Sequence, residues 1–265
     1  MSYQTIVVEN SADGVMTVTL NRPEVLNAFN NQMCAEFKGL WSQVREDESV
    51  RVVVLAAAGD RAFSTGVDVT ERLHGDSPFL DRQHPWAEHE DPGRDLSPRR
   101  NEMWKPVIAA VQGMCAGGAF YWVADCDIVV CSPEATFFDP HVSYGLVAAL
   151  EPIALRCRMG FSDVLRMALL GLNERMSAQR ALAIGLVTEI VERPSLLARA
   201  QELARAIAAQ PPAAVQGTVK ALWQSLDLTR GQSLATALMY TQIGNPLGTA
   251  DLDRAAVKQS RPWLR

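Results

Sequence analysis

The residues of this chain best suited to chemistry lie in two glycine turns, Ser64-Thr65-Gly66 and Gly117-Gly118. The first leads from a β-rich stretch into a short expected helix over 67–73. The second follows an apolar β-rich run at 107–111 and a turn at Gly113, and it opens a helical-looking stretch from Ala119. A strand that ends in a glycine turn and starts a helix leaves backbone N–H groups without partners at the positive end of the helix dipole. Such groups can hold a phosphate, or a carbonyl oxygen that gains charge during a reaction. Open α/β sheets bind ligands at the carboxyl ends of their strands, where both turns are expected. Each turn alone also reads as a plain connection whose glycines permit close packing. Together they can supply two converging donors.

Titratable side chains are the next requirement. The chain has four histidines, and three of them, His74, His84 and His89, fall in one Pro- and charge-rich stretch over 74–101. That stretch shows little periodicity and reads as a functional flap or a disordered connection. The spacing of His84 and His89 matches no common zinc pattern, so solvated loop histidines are expected there and no metal site is assigned. His141 is the one histidine elsewhere, and an imidazole titrates near neutral pH and suits acid/base work. Ten positions on, Glu151 is an acid in the otherwise apolar run 145–155. If the chain folds back there, Glu151 can orient His141. It also precedes Pro152, where an acid favours a helix N-terminus, so a capping role stands beside the catalytic one.

The elements that must position these groups follow from periodicity. Residues 5–8 and 15–20 read as a hairpin, with Gly14 taking positive φ. Residues 30–46 place Met33, Phe37, Leu40, Trp41 and Val44 at helical spacing. Residues 51–57 and 127–131 read as buried parallel strands, and 136–138 as a short one. Beyond Glu151 helices are expected over 152–159, 161–170 and 177–184, with Ser177 as N-cap, then a last strand at 187–191. The tail reads as helices over 196–208, 211–226 and 231–240. Asp68 is expected to support its own turn, and Asp125 and Asp127 to be structural.

Composition narrows the class. The 265 residues are 48% hydrophobic and 21% charged, an ordinary globular balance that can bury a core without staples. A net charge of −5 with no basic tract argues against a nucleic-acid partner or an anionic membrane surface. The N-terminal residues carry no signal-like pattern, and no apolar run is long enough to span a bilayer. Five irregularly spaced cysteines fit reduced thiols in a cytoplasmic setting, with Cys126 and Cys131 in the core.

Taken in order, several short motifs resemble the enoyl-CoA hydratase/isomerase superfamily, the crotonases. They are Asn21-Arg-Pro23 with Leu26-Asn-Ala28, the run 62–68, the run 105–113, Gly117-Gly118, Cys126-Asp-Ile128, Gly185-Leu-Val187 and the closing stretch 258–263. Each is weak alone; the order and spacing are specific, and they extend nearly end to end. The resemblance implies an α/β fold, a spiral of ββα repeats over 1–195, with a helical region at 196–265 that forms trimers or dimers of trimers. It implies an acyl-CoA thioester substrate whose oxygen is held by the backbone N–H groups of Thr65 and Gly118, supported by Gly66 and Gly117. It implies that carbonyls near Ala28 and Ala62 recognise the adenine of CoA. Coenzyme A is then part of the substrate, and no metal or nicotinamide cofactor is implied.

The departures from the family pattern bear on the chemistry. Hydratases of the family use two glutamates. One lies three residues after the oxyanion glycine, where this chain has Tyr121. The other follows a proline in a Phe-x-x-Pro-Glu turn, where this chain has Phe137-Phe-Asp-Pro-His141. A tyrosine with a pKa of about 10 is a poor base at neutral pH, though it can donate a hydrogen bond or line the pocket. A His141–Glu151 pair resembles the one in crotonase-like hydrolases that cleave β-diketones, offset by one position; Asp139 is a second carboxylate within reach. Three functions follow from this reading: an enolate-stabilising acyl-CoA enzyme, nominally an enoyl-CoA hydratase; a C–C bond hydrolase of β-keto substrates; and a catalytically silent acyl-CoA binder. Trp86, Trp104 and Trp122 are candidates for shaping a bulky acyl pocket.

Overall fold

The computed structural model describes residues 3–70, 91–250, 252 and 262–264. It is a mixed α/β fold with two sheets, as the pattern of apolar runs implies. Strands β1 (Ile6–Asn10) and β2 (Val15–Leu20) form the expected hairpin, with Gly14 at φ 82°. Helix α1 (Asn31–Glu46) follows, and Asn30 caps it by accepting the Met33 N–H at 2.9 Å. Next come β3 (Val52–Ala57), β4 (Ala62–Ser64), a short helix α2 (Gly93–Leu96), β5 (Val107–Val111) and β6 (Met114–Ala116). Helix α3 (Phe120–Val123), β7 (Ile128–Cys131), β8 (Thr136–Phe138), α4 (Leu150–Leu155) and α5 (Phe161–Leu170) continue the chain. The remainder is β9 (Met176–Ser177), α6 (Ala178–Ala183), β10 (Glu189–Ile190), α7 (Arg193–Ala208), α8 (Pro212–Gln224) and α9 (Arg230–Thr249).

The larger sheet runs β1-β2-β3-β5-β7-β10, parallel from β2 onward, and the smaller runs β4-β6-β8-β9. Successive strand pairs β3/β4, β5/β6 and β7/β8 each give one strand to each sheet, which is how the chain winds as a spiral. The period of two along the larger sheet divides its continuous apolar runs between two cores. Val53, Leu55, Val107, Ala109 and Val129 face α1 and an aromatic cluster, while Val52, Val54, Ile108, Ala110 and Val130 face α7. Helix α7 therefore closes the second face of the spiral by its Leu196, Ala200, Ala204 and Ala208. By packing it belongs with the core, although its sequence groups it with the tail. Helix α8 is tied down through the Trp223 indole N–H, which donates to Asp127 Oδ1 at 2.7 Å. Asp127 also accepts the Val107 N–H at 2.7 Å and pairs with Arg99, a structural role.

Some expectations need correction. Trp122 lines no pocket: it is fully buried among Phe29, Phe37 and Phe63. Trp104 stacks under Lys220 of α8. Residues 91–101 are no loose flap, because Leu96 is fully buried and its carbonyl accepts the Trp41 indole N–H at 3.0 Å. The remainder of that stretch, with His74, His84, Trp86 and His89, lies outside the described residues, as do 71–73 and most of 258–263. The final helix extends to Thr249, past the expected end at 240.

One buried side chain pins the loop between β2 and α1. Asn27 sits at φ 54°, a region that Asn tolerates better than other non-glycine residues. Its Nδ2 donates to the Ala58 and Ala62 carbonyls at 2.9 and 3.0 Å, and its Oδ1 accepts the Arg22 N–H at 2.9 Å. Replacing Asn27 by Ala orphans these groups in a buried site and strains the backbone. The variant is expected to lose roughly 2–4 kcal/mol of unfolding free energy in a denaturant titration; a loss near zero would show that the loop is held otherwise.

Candidate active site

The two glycine turns leave neighbouring strands of the smaller sheet. Strands β4 and β6 are parallel, with Ser64 opposite Cys115, so Thr65-Gly66 and Gly117-Gly118 emerge at the same, carboxyl, end. Gly66 has φ 86° and Gly117 φ 52°, both in the left-handed region that favours glycine. Gly66 is constrained a second way: a Cβ there would stand 2.8 Å from the Gly118 nitrogen. Any side chain at 66 would cover the Gly118 amide. That amide is second in a 3-10 turn, Gly117–Ala119, where no preceding carbonyl of the turn is placed to accept from it. A Cβ at Gly118 would meet Phe29 Cε1 at 2.5 Å, so the Phe29 ring forms the wall behind this turn. Phe29 is itself fixed by its N–H to the Gly66 carbonyl and by the Asp68 N–H to its own carbonyl, each at 2.8 Å.

Strand β8 lies beside β6 and ends at Phe138, which brings Asp139-Pro140-His141 against the second turn. A Cβ at Gly117 would be 3.6 Å from His141 Cε1. Asp139 is fully buried, and its Oδ1 accepts the His141 backbone N–H at 3.0 Å and meets the ring Nδ1 at 2.5 Å. Glu151, in the first turn of α4, lies on the other side of the ring with Oε1 3.8 Å from Nε2. That separation is within ion-pair range and beyond a hydrogen bond. The group that orients the imidazole is therefore Asp139, and Glu151 lies on the side of the other ring nitrogen. The two assignments were open in the sequence because orientation depends on side-chain torsions that spacing does not encode.

Burial raises the pKa of Glu151 above the ordinary carboxylate value, and the nearby Asp139 adds to the rise. Its own backbone N–H, His141 and the Tyr121 hydroxyl oppose the shift without cancelling it. Tyr121 on α3 projects to the same place. Burial first, then the Glu151 and Asp91 carboxylates beside its hydroxyl, push its pKa far above that of free tyrosine. It keeps its proton throughout the working pH range, which leaves it hydrogen bonding and no role as a base. Asp91 is anchored by the Gly93 N–H at 2.9 Å and by Arg100. Gly93 is needed for close approach, since a Cβ there would stand 2.7 Å from the Tyr121 ring. Asp91 and Gly93 were missed in the sequence; the Asp-Pro-Gly turn at 91–93 was the signal available.

The remaining candidates lie along the neighbouring backbone, where the Asp68 N–H donates to the Phe29 carbonyl. Asp68 supports its turn, accepting from Thr70 N–H at 3.0 Å and pairing with Arg22 at 2.9 Å. Burial alone would raise its pKa, but the Thr70 and Arg22 hydrogen bonds hold it below the usual range. The Ala28 carbonyl accepts Arg22 Nη1 at 2.7 Å and the Ala62 carbonyl accepts Asn27 Nδ2 at 3.0 Å. Each carbonyl keeps a second lone pair. The structure thus gathers Thr65, Gly66, Gly117, Gly118, Tyr121, His141 and Glu151 at one end of the smaller sheet, and sets Ala28, Ala62 and Asp68 beside it. Among the described residues no cluster of three or more His, Cys, Asp or Glu side chains is placed to hold a metal ion.

Such a site pairs backbone donors with a His–carboxylate set, the equipment for proton transfer next to a carbonyl that gains charge. The comparisons with known proteins agree in kind. Residues 10–244 match the family model described as Enoyl-CoA hydratase/isomerase. The chain is 34% identical over 229 residues to the (E)-benzylidenesuccinyl-CoA hydratase of Thauera aromatica, covering 86% of this chain and 85% of that one. It is 34% identical over 268 residues to a mevalonyl-coenzyme A hydratase of Aspergillus fumigatus, covering 100% and 96%. The crystal structure of an enoyl-CoA hydratase/isomerase from Mycobacterium paratuberculosis superposes with a TM-score of 0.83 at 38% identity, covering 100% of this chain and 99% of that one. The chain belongs to the enoyl-CoA hydratase/isomerase family and is an enzyme of the crotonase fold that processes acyl-CoA thioesters.

Proposed function

We propose that the enzyme holds the thioester oxygen of an acyl-CoA between the backbone N–H groups of Thr65 and Gly118, and that His141 moves the proton at the acyl group. The observation that carries this reading is the approach of Gly66 to the Gly118 amide, 2.8 Å from a notional Cβ, with the His141 ring against Gly117. Reactions α or β to a thioester build negative charge on its oxygen, and fixed N–H donors stabilise that charge without reorganising. Gly66 and Gly117 keep side chains out of the cradle, and the Ala28 and Ala62 carbonyls with Asp68 border the CoA end. Coenzyme A enters as part of the substrate, and the scheme calls for no separate cofactor. Water addition is the preferred reaction, in keeping with two relatives named as acyl-CoA hydratases. Tyr121 and His141 stand where hydratases of the family have glutamates, so the proton transfers run through a different set.

A second reading is C–C bond hydrolysis of a β-keto substrate by a His141–Glu151 pair, supported by the 3.8 Å approach of Glu151 Oε1 to His141 Nε2. Both reactions pass through the same enolate, and their products separate them. We also propose a reducing compartment, the cytoplasm, in line with five free cysteines. Among the described residues no helix is long and apolar enough to cross a membrane. We also propose a homotrimer or a dimer of trimers. Leu222, Leu226, Leu238, Ile243 and Leu247 are exposed on and next to α8 and α9, and a groove of about 570 Å³ lined by Val147, Ile153, Phe161 and Leu169 adds apolar surface on α4 and α5. A second copy of the chain is the occupant that fits the family resemblance.

Product analysis, variant kinetics, thioester binding and sedimentation test these proposals. On a panel of enoyl- and β-keto-acyl-CoA thioesters, a 3-hydroxyacyl-CoA product is expected by mass spectrometry, whereas a new free carboxylate would favour the hydrolase. His141→Ala is expected to lower kcat by roughly 10²–10⁴ with circular dichroism unchanged, and Gly66→Ala by roughly 10²–10³ together with a loss of stability, because its Cβ would stand 2.8 Å from the Gly118 nitrogen. Binding of CoA thioesters without turnover, indifferent to His141→Ala, would identify a silent binder and defeat the catalytic reading. Sedimentation equilibrium is expected to give a multiple of three chains; a monomer at micromolar concentration would refute the assembly.

A further inference from the structure

Asp139 is fully buried, yet only one of its two oxygens is bonded. Oδ1 accepts the His141 backbone N–H at 3.0 Å and meets Nδ1 of the same residue's ring at 2.5 Å. Oδ2 has no hydrogen-bond partner among the described residues. A buried polar atom in that state calls for an explanation in strain or in function.

The shape of the turn does not supply one. A side-chain oxygen that accepts the N–H two residues on makes an Asx turn, and Asn or Ser can do this without charge. Pro140, at φ −84° and ψ −7°, lies between the two residues, and its Cδ is 3.4 Å from the place of a Cβ on Gly117. Burying a carboxylate costs more than burying a neutral amide or hydroxyl. The charge therefore makes its difference at the second contact of Oδ1, with the imidazole. The same contact places a proton. A backbone N–H can only donate, so the atom it meets must accept. Nδ1 meets that same atom and has to be a donor to it. Nε2 is then the nitrogen that can exchange a proton. It lies on the side of Glu151, 3.8 Å from Oε1, and the Cε1 between the two nitrogens is 3.6 Å from where a Gly117 Cβ would stand.

We propose that Asp139 is the positioning residue of His141: it keeps a proton on Nδ1, presents Nε2 to the substrate, and stabilises the imidazolium formed in turnover. The proposal deepens the preceding reading and rests on it for the place of His141. In water addition to a 2-enoyl thioester, Nε2 takes a proton from water as the water oxygen bonds to the β carbon. The double-bond electron pair moves to the thioester oxygen as the enolate, and the ring becomes a cation beside Asp139. The enolate then collapses, its α carbon takes the proton from Nε2, and the ring returns to neutral. A carboxylate at Nδ1 serves this cycle by holding one tautomer and stabilising the cation, without taking the proton itself.

Solid-state ¹⁵N NMR of the full-length, histidine-labelled enzyme through a pH titration tests this at the ring, with His141 assigned by difference from His141→Gln. Among the described residues the titratable groups facing the ring are Asp139 after β8 and Glu151 on α4, with Tyr121 of α3 beside Glu151. Asp139 also raises the Glu151 pKa, so the ring's own titration is followed and not the pH limb of activity. The neutral ring is expected to carry its proton on Nδ1. Asp139→Asn keeps an acceptor for both N–H groups and removes the charge. Its tautomer is expected to stay, while the ring's midpoint falls by roughly 1–3 pH units. With the thioester that the product panel identifies, its kcat is expected to fall roughly 10-fold or more with little change in KM. A wild-type neutral ring protonated on Nε2, or an Asp139→Asn midpoint that is unmoved or raised, would overturn the proposal. So would an Asp139→Asn enzyme with wild-type kcat, the result a turn residue alone would give. Should Asp139→Asn fail to fold, the wild-type tautomer still decides. Turnover indifferent to His141→Ala sinks the reading beneath; turnover that needs His141, with an unmoved midpoint in Asp139→Asn, sinks this assignment alone.

Discussion

The approach of Gly66 to the Gly118 nitrogen is the contact on which the rest of the site depends. It exists because β4 and β6 run parallel and side by side, so the turns that follow them arrive together. Parallel neighbours need crossovers, and the spiral supplies them by sending each crossover through the larger sheet and back. Two residues at that contact admit no side chain: Gly66 because of Gly118, and Gly118 because of Phe29. The backbone is thereby exposed at one point in an otherwise close-packed structure. A main-chain cradle of this kind is indifferent to what the substrate's acyl group looks like, which allows one fold to host several reactions and leaves the choice to the side chains around it.

Those side chains are held by constraints of a different kind. His141 is fixed through Asp139 on its own strand end, a local bond that requires no distant element. Glu151 and Tyr121 arrive from α4 and α3, and Asp91 from the segment that Trp41 and Arg100 anchor to the core. Removing three carboxylates from water in one place is unfavourable unless each has a cation, a donor or a proton. The cluster therefore depends on the sites of its protons as much as on packing, and a change of one member alters the others. A close ion pair at Arg22–Asp68 steadies the turn after β4.

The legibility of the chain followed the scale of its signals. The hairpin with Gly14, the helix over 31–46 and the parallel strands announced themselves through periodicity and composition, because each repeats its pattern over several residues. Strand β6 did not: three residues between Gly113 and Gly117 are too few to show a period. Residues 91–101 read as loop because Asp, Pro, Gly and Arg dominate there, yet one leucine and a carbonyl bond to Trp41 suffice to pack them. His141 was singled out as the one histidine outside a polar stretch, while its true hydrogen-bond partner, Asp139, was second choice to Glu151. A separation of two residues and one of ten are both compatible with contact, and only the torsions of the turn distinguish them. Trp122 shows the converse error, since a large aromatic next to a glycine turn suggests a pocket wall and here fills the core.

The central claim is that two main-chain amides converge on one thioester oxygen. A crystal structure of the enzyme with a non-reactive acyl-CoA thioester tests it directly. The account expects the thioester oxygen at about 2.7–3.1 Å from both the Thr65 and the Gly118 nitrogens. A thioester bound elsewhere, or an oxygen within reach of one amide and turned away from the other, would contradict it.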